Sequence, residues 1–131
     1  MDWKDFDVVI AALCAWKEAR GEGHDGMRAV VHVIANRAQL QNKSWAQIVY
    51  APLQFTSMTY RSDPQLGLVP KQPDPAFEDA LNIAEYVQGG SDPDLTGGAT
   101  HYFNPELVLP SWAATMVKTA TIGHHDFYKE A

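Results

Sequence analysis

Two glutamates four residues apart give the densest chemical signal in the sequence, in the run Glu18-Ala19-Arg20-Gly21-Glu22. Cleavage of a glycosidic bond needs a carboxylic acid that is still protonated near neutral pH and can protonate the leaving oxygen. A glutamate at the C-terminal end of a helix faces the negative end of the helix dipole, which disfavours its charged form. A second carboxylate one helical turn away acts in the same direction. Composition alone favours a simpler interpretation, a solvated helix end in which an arginine pairs with these charges.

The five histidines raise the question of a metal site, because imidazole is the commonest metal ligand in proteins. The sequence has no HExxH motif, and its single cysteine, Cys14, gives no zinc-finger spacing. A zinc site built from His101, a glutamate and His124 or His125 stays open as an alternative. His32 follows an apolar stripe and is predicted to be a hydrogen-bonded core residue. We therefore expect neither a metal nor a cofactor.

Two further segments place polar side chains beside aromatic ones, a combination that suits a sugar-binding cleft. Gln54, Phe55 and Thr56 follow a proline turn, where they can hydrogen-bond to and stack on a sugar. A loop that is simply anchored by its aromatic residue is an equally good interpretation. Tyr102 and Asn104 belong to a second segment, which forms either a cleft wall or only the end of a strand. The sequence contains no GxSxG motif and no phosphate-binding glycine loop.

Apolar residues at helical spacing predict the elements that position these groups. The predicted helix starts rest on serine caps and on a proline after an aspartate, and paired glycines mark a helix end. Residues 53–73 show no clear period and are predicted to form a long surface loop, which in a compact domain is often functional. The predicted helices run from Asp5 or Asp7 to about Arg20, from Asp25 to about Leu40, from Trp45 to Tyr50, and from Asp74-Pro75 to Gly89-Gly90.

The C-terminal third carries the β structure in this prediction. Residues 100–103 are expected to form a short strand, and Ser111 is expected to cap a brief helix that ends at Met116. A small hairpin is predicted around Gly123-His124-His125-Asp126. The predicted fold class is mainly α, a single domain over residues 1–131 with a short β hairpin near the C-terminus.

Length, composition and charge fit a globular domain and exclude some partners. The chain has 131 residues, of which 46% are hydrophobic, and a net charge of −6. An acidic chain is a poor ligand for nucleic acid, and no apolar run is long enough to span a membrane. Cys14 lies in an apolar stretch and is predicted to be a small core residue, although a catalytic thiol is an alternative. We expect a monomer that binds neither nucleic acid nor membrane.

Five blocks of sequence, taken in order, resemble the spore-cortex-lytic type of cell wall hydrolase. That family has E-A-R-G-E, then G-x-x-A-V-x-x-V-x-x-N-R, V-x-x-P-x-Q-F-S, T-G-G-A-x-x-Y-x-N-P and I-G-N-H-x-F-Y. No single block is specific, but all five in this order are. The corresponding blocks here are residues 15–22, 26–37, 48–56, 96–105 and 122–128.

The resemblance implies a small lysozyme-like domain with a cleft. The activity it implies is cleavage of peptidoglycan between N-acetylmuramic acid and N-acetylglucosamine, generally as a lytic transglycosylase that leaves 1,6-anhydromuramic ends. Glu18 matches the catalytic acid/base of the family. The chain departs from the family pattern at His124, which replaces an asparagine, and at His101. The implied substrate-binding residues are Glu22, Gln54, Phe55, Thr56, Tyr102, Asn104 and His125.

The first five residues are charged rather than apolar, so the sequence predicts no secretory signal and synthesis in the cytoplasm. A catalytic domain of this kind resembles a phage endolysin, which acts on the cell wall from the host periplasm. Two other classes stay open. One is a zinc-dependent amidase or peptidase that acts on the wall peptide. The other is a non-catalytic module that binds the cell wall as part of a virion.

Overall fold

The computed structural model describes residues 2–52 and 54–131. Met1 and Leu53 lie outside the described residues. Leu53 is the first residue of the predicted loop 53–73 and also belongs to the sequence block 48–56. Helices dominate the N-terminal two thirds and strands the C-terminal third, which confirms the predicted fold class. The elements are helices α1 (Trp3–Ala19), α2 (Gly23–Gln41), α3 (Trp45–Val49), α4 (Thr56–Thr59) and α5 (Pro75–Gln88), and strands β1 (His101–Phe103), β2 (Met116–Ile122) and β3 (His125–Glu130).

The predicted start of α1 is wrong, because the cap is Asp2 rather than Asp5 or Asp7. The Asp2 carboxylate accepts a hydrogen bond from the backbone N–H of Lys4 at 3.0 Å, and Asp5 lies inside the first turn. The start of α2 is also earlier than predicted. A 3₁₀ turn (Arg20–Glu22) carries the chain directly from α1 into α2 at Gly23, before Asp25. At Gly23, where φ is 78°, the chain leaves the helical conformation between the two helices.

The predicted caps of α3 and α5 are confirmed. Ser44 accepts from the backbone N–H of Gln47, whose side chain accepts from the backbone N–H of Ser44, so the two residues form a capping box. Asp74 accepts from the backbone N–H of Phe77, and Pro75 occupies the first turn of α5.

The predicted loop contains a helix that the sequence pattern did not indicate. Helix α4 spans a single turn, which is too short for apolar periodicity to be visible. The loop is tied to α1 by the buried ammonium of Lys17, which donates to the carbonyl of Leu66 at 2.8 Å and to that of Ser57 at 3.4 Å. Phe55 and Met58 of the same segment pack into the main apolar cluster, so both a buried cation and apolar contacts hold it in place.

The predicted hairpin is confirmed and belongs to a three-stranded antiparallel sheet in the order β1-β3-β2. Its turn is shorter than predicted, because His125 already pairs with Ile122 and only Gly123 and His124 connect the strands. The predicted helix after Ser111 is a 3₁₀ turn (Ser111–Ala114), and Met116 opens β2 instead of closing that helix.

Two apolar clusters hold these elements together. The larger one joins α1, α2, α3 and α5, and it buries Cys14 completely, as predicted. The smaller one packs Ala29 and Val33 of α2 against Ala99 and Phe127, and thereby fixes the sheet on α2. This packing holds the sheet at a set position relative to the end of α1, where the candidate site lies.

No helix among the described residues is both long and apolar enough to cross a membrane.

Candidate active site

The side chain of Glu18 borders a cavity of about 360 Å³ at the C-terminal end of α1. The cavity lies between the helices and the sheet, so its wall is assembled from distant parts of the chain. Its lining is mostly polar and aromatic, a combination that suits a sugar ligand. The lining residues are Glu18, Arg37, Gln54, Phe55, His101, Tyr102 and Trp112.

Tyr102 connects the sheet to the glutamate. Its hydroxyl donates a hydrogen bond to Oε1 of Glu18 at 2.8 Å. Burial raises the pKa of Tyr102 well above its usual value, and the nearby charge of Glu18 acts in the same direction. The phenol ring stacks on Phe127, with ring centres 5.4 Å apart. Tyr102 is therefore a fixed hydrogen-bond donor to one oxygen of Glu18, and no described residue hydrogen-bonds to the other oxygen.

A buried cation, Arg37 of α2, forms another part of the wall. Its guanidinium donates to the backbone carbonyl of Thr100 and to the side-chain carbonyl of Gln54, and it lies over the ring of Phe55 at 5.6 Å. Burial lowers the pKa of Arg37, but an arginine side chain stays protonated. No carboxylate of the described residues lies within ion-pairing distance of it. Arg37 thus orients Gln54 and leaves a positive charge at the cavity without an anionic partner.

Glu22, the last residue of the 3₁₀ turn, is contacted by two consecutive histidines. Nδ1 of His124 lies 3.1 Å from each carboxylate oxygen of Glu22, and Nδ1 of His125 lies 3.6 Å from one of them. The Glu22 side chain is 17% exposed. The family departure at His124 therefore has a structural role here, because this side chain caps the Glu22 carboxylate.

Two glycines make room for the Glu22 side chain. A methyl group on Gly26 would lie 2.4 Å from the Cβ atom of Glu22, and one on Gly123 would lie 2.7 Å from its Oε2 atom. Gly123 also has a φ of 58°, a left-handed conformation that glycine adopts without strain. These positions come from α2 and from the hairpin turn, so separate segments of the chain leave space for the same side chain.

His125 links the two glutamates. Its ring packs edge-on against Tyr102, with ring centres 5.2 Å apart, while its Nδ1 faces Glu22. Burial lowers the pKa of His125, and the charges of Glu22 and Glu18 oppose that shift. Near neutral pH the imidazole is therefore neutral and packs as an aromatic ring. The contacts run continuously from Glu18 through Tyr102 and His125 to Glu22.

Some predicted site residues lie elsewhere. Thr56 lies in α4, where its hydroxyl donates to Asp63 at 2.7 Å, and it does not line the Glu18 cavity. Asn104 accepts from the backbone N–H of Glu106 and closes the turn after β1. Gln54, Phe55 and Tyr102 do meet at the cavity.

Two residues at the cavity, Arg37 and Trp112, had no chemical role assigned from the sequence. Arg37 belongs to the N-R pair of the second sequence block, which was the available signal for it. Trp112 is one of four tryptophans in 131 residues, and its position in the sequence gave no further signal. Its ring lies 5.0 Å from that of His101.

The other histidines have their own partners. His32 is buried, as predicted, with Nε2 2.6 Å from Asp92 and Nδ1 3.8 Å from Asp94. His24 lies 2.8 Å from Asp79 at the surface. Within residues 2–52 and 54–131, no three histidine, cysteine or carboxylate side chains are grouped closely enough to hold a metal ion.

Comparison with known sequences gives a consistent result. Residues 21–128 match the family described as Cell Wall Hydrolase, a range that begins just after Glu18. The chain is 34% identical to the spore cortex-lytic enzyme of Halalkalibacterium halodurans over 128 residues, which are 95% of this chain and 35% of that protein. It is 32% identical to the spore cortex-lytic enzyme of Bacillus subtilis over 92% of this chain and 37% of that protein. The chain thus spans little more than a third of the length of these relatives.

Solved structures agree with the fold. The catalytic domain of the germination-specific lytic transglycosylase SleB from Bacillus anthracis superposes with a TM-score of 0.75 at 28% identity, covering 98% of this chain and 97% of that domain. The catalytic domain of the Bacillus cereus SleB protein gives a TM-score of 0.70 at 30% identity, covering 98% of this chain and 92% of that one.

Proposed function

The chain belongs to the cell wall hydrolase family, and on that premise we propose that it cleaves the glycan strands of bacterial peptidoglycan with Glu18 as the acid/base. The bond cut lies between N-acetylmuramic acid and N-acetylglucosamine, and the reaction is that of a lytic transglycosylase. The similarity to spore cortex-lytic enzymes and to SleB catalytic domains supports the reaction class.

The observation that carries the proposal is the asymmetric environment of the Glu18 carboxyl group. One oxygen accepts from the buried phenol of Tyr102, and the carboxyl borders a cavity of about 360 Å³. A general acid must be held in one orientation and must also have an oxygen free to contact the substrate. Tyr102 supplies the first condition, and the cavity supplies the second.

The proposed mechanism returns the enzyme to its starting state without water. Glu18 protonates the glycosidic oxygen as the bond to the anomeric carbon of muramic acid breaks. The 6-hydroxyl of the same sugar attacks that carbon and gives its proton to the Glu18 carboxylate, which leaves a 1,6-anhydro end. The attacking group belongs to the bound sugar, so the reaction gains the high effective concentration of an intramolecular step.

In this proposal Glu22 positions the substrate indirectly, through His125 and Tyr102, and does not transfer a proton. Its carboxylate is engaged by His124 and faced by His125, and it is absent from the lining of the Glu18 cavity. A carboxylate that activates water in a hydrolase must have room for that water beside the anomeric carbon. Contacts from two histidines favour a fixed electrostatic and structural role instead.

Mass spectrometry of the products released from purified peptidoglycan tests the proposal. We expect soluble muropeptides with 1,6-anhydromuramic ends. Products with reducing muramic ends would show that the enzyme is a hydrolase and not a transglycosylase. Release of free stem peptides, or no release at all, would contradict glycan cleavage and favour the amidase or the binding-module alternative. A monomeric state and action on the cell wall remain predictions.

A further inference from the structure

The Glu18 cavity continues into a longer groove along the C-terminal half of α2. A second cavity of about 430 Å³ shares Arg37, Gln54 and His101 with it, so the two are adjoining. A third cavity of about 560 Å³ shares Thr100 and Glu130, among others, with the second. The groove therefore leads from the candidate acid toward the end of β3.

The charge of this groove is opposite to that of the protein. Three cations and one carboxylate line the second and third cavities: Arg37, Lys43, Lys129 and Glu130. The whole chain has 10 lysines and arginines against 16 aspartates and glutamates. Arg37 is 92% buried, since only 8% of it is exposed, and it has no carboxylate partner within the part of the chain that the structure describes. Its hydrogen bonds to the carbonyls of Thr100 and Gln54 stabilise the buried guanidinium but do not neutralise its charge.

Peptidoglycan offers a ligand with the matching charge pattern. The stem peptide on each muramic acid carries carboxylates at several positions and, where it is not cross-linked, an amine at its third residue. Lysines can pair with the carboxylates and Glu130 with the amine. A bare glycan strand has no such extended series of charges, and its anionic groups stay close to the sugar ring.

Building on the proposed function, we infer that the groove lined by Arg37, Lys43 and Lys129 binds the stem peptide of a muramic acid next to the scissile bond. The substrate class is therefore peptide-bearing glycan, bound through both its sugars and its stem. Arg37 lies at the junction with the Glu18 cavity, where the stem leaves the sugar, and the two lysines lie further along.

A binding measurement that does not depend on cleavage tests this inference. Glu18→Gln prevents turnover, and NMR titration then compares a tetrasaccharide that carries tripeptide stems with the same tetrasaccharide without them. We expect the peptide-bearing ligand to bind on the order of tenfold tighter. In that background Lys43→Gln and Lys129→Gln should each weaken it by about two- to fivefold, the range of exposed ion pairs, and leave the bare ligand unaffected. Lys71→Gln removes the same charge outside the groove and should change neither affinity.

Several results would overturn the inference: equal affinity for both ligands, no binding of the peptide-bearing ligand, or a peptide effect that both lysine variants leave unchanged. Parallel digestion of peptidoglycan by the wild-type protein separates this failure from that of the proposed function. Strand cleavage without any stem effect would retain the function and reject the groove assignment. Stem-dependent binding without strand cleavage would retain the groove and reject the function.

Discussion

The two glutamates of the 18–22 run have the same side chain and differ in nearly every contact. Glu18 has one hydrogen bond, from Tyr102, and borders a cavity. Glu22 is contacted by two histidines. Its side chain also fits closely against Gly26 and Gly123, where a methyl group would clash with it. The surroundings thus leave one carboxyl group able to act on a ligand and hold the other in place.

The contrast explains how neighbouring carboxylates take separate roles in one small site. A proton donor must exchange its proton with a substrate, so an oxygen that is already engaged is of little use for that step. A positioning group works better when it cannot move, because small displacements near a reacting centre are expensive. Five substitutions or treatments test this division, beginning with the largest expected effect.

Glu18→Gln should lower wall digestion by about 10²–10⁴-fold, the usual contribution of general acid catalysis. The amide still accepts from Tyr102 but has no proton to give to a glycosidic oxygen, so the fold should be intact. A turbidity assay on purified walls measures the rate, and thermal unfolding checks the fold. A digestion rate within about threefold of wild type, well short of that range, would show that Glu18 is not the catalytic acid.

Tyr102→Phe should lower the rate by about ten- to a hundredfold, because a hydrogen bond to a charged group contributes about 1.5–3 kcal/mol. Phenylalanine keeps the stacking on Phe127, so the loss reports on the orientation of Glu18 and not on packing. Tyr128→Phe is the matched control, since Tyr128 also stacks on a phenylalanine of the sheet, whereas Tyr102 is the tyrosine that donates to Glu18. Equal effects of the two variants would assign the loss to the sheet as a whole.

Glu22→Gln should reduce the rate by about tenfold, the cost of a modest misplacement, without changing the shape of the pH profile. Removing a proton donor deletes one limb of that profile, whereas removing a positioning group lowers the whole curve. Rates from about pH 4 to 9 therefore separate the roles. If Glu22→Gln removes the acid limb while Glu18→Gln preserves it, the two glutamates have been assigned the wrong way round.

Gly123→Ala should destabilise the protein by about 2–3 kcal/mol, since strain in the left-handed region adds to a clash with the Glu22 carboxylate. Gly90→Ala is the control, because its φ of 77° is also left-handed but nothing lies within 4 Å of an added methyl group. That variant should lose only about 1 kcal/mol and keep its activity. Denaturant unfolding compares the two, and equal losses would mean that Glu22 is not tightly held.

Removing metal ions should have the smallest effect, with activity unchanged after prolonged dialysis against EDTA. The histidines at the hairpin turn contact Glu22, whereas His101 packs against Trp112, so they do not converge on one point. Loss of wall digestion that zinc restores would favour the amidase alternative and would give the histidines a different partner from Glu22.

Features that depend on neighbouring residues could be predicted from the sequence, whereas contacts between distant positions could not. Caps such as Ser44 and Asp74 are local, and the structure confirms them. Helix α4 has only one turn and gives no periodic signal. The contact between Tyr102 and Glu18 joins positions 84 apart, so no spacing rule indicates it. Family resemblance suggested both residues for the site, whereas the burial of Arg37 without a carboxylate partner became evident only from the packed structure.

The hairpin turn that meets Glu22 has a consequence for the order in which this molecule matures. His124 and Glu22 are 102 positions apart, so their contact closes nearly the whole chain into a loop. A ribosome makes the acid-bearing helix before it makes the hairpin. A nascent chain that has only its helices cannot place Tyr102 or His125 beside the glutamates. The site therefore assembles only after the hairpin has been made, and contacts of such long range also slow the folding step that forms it.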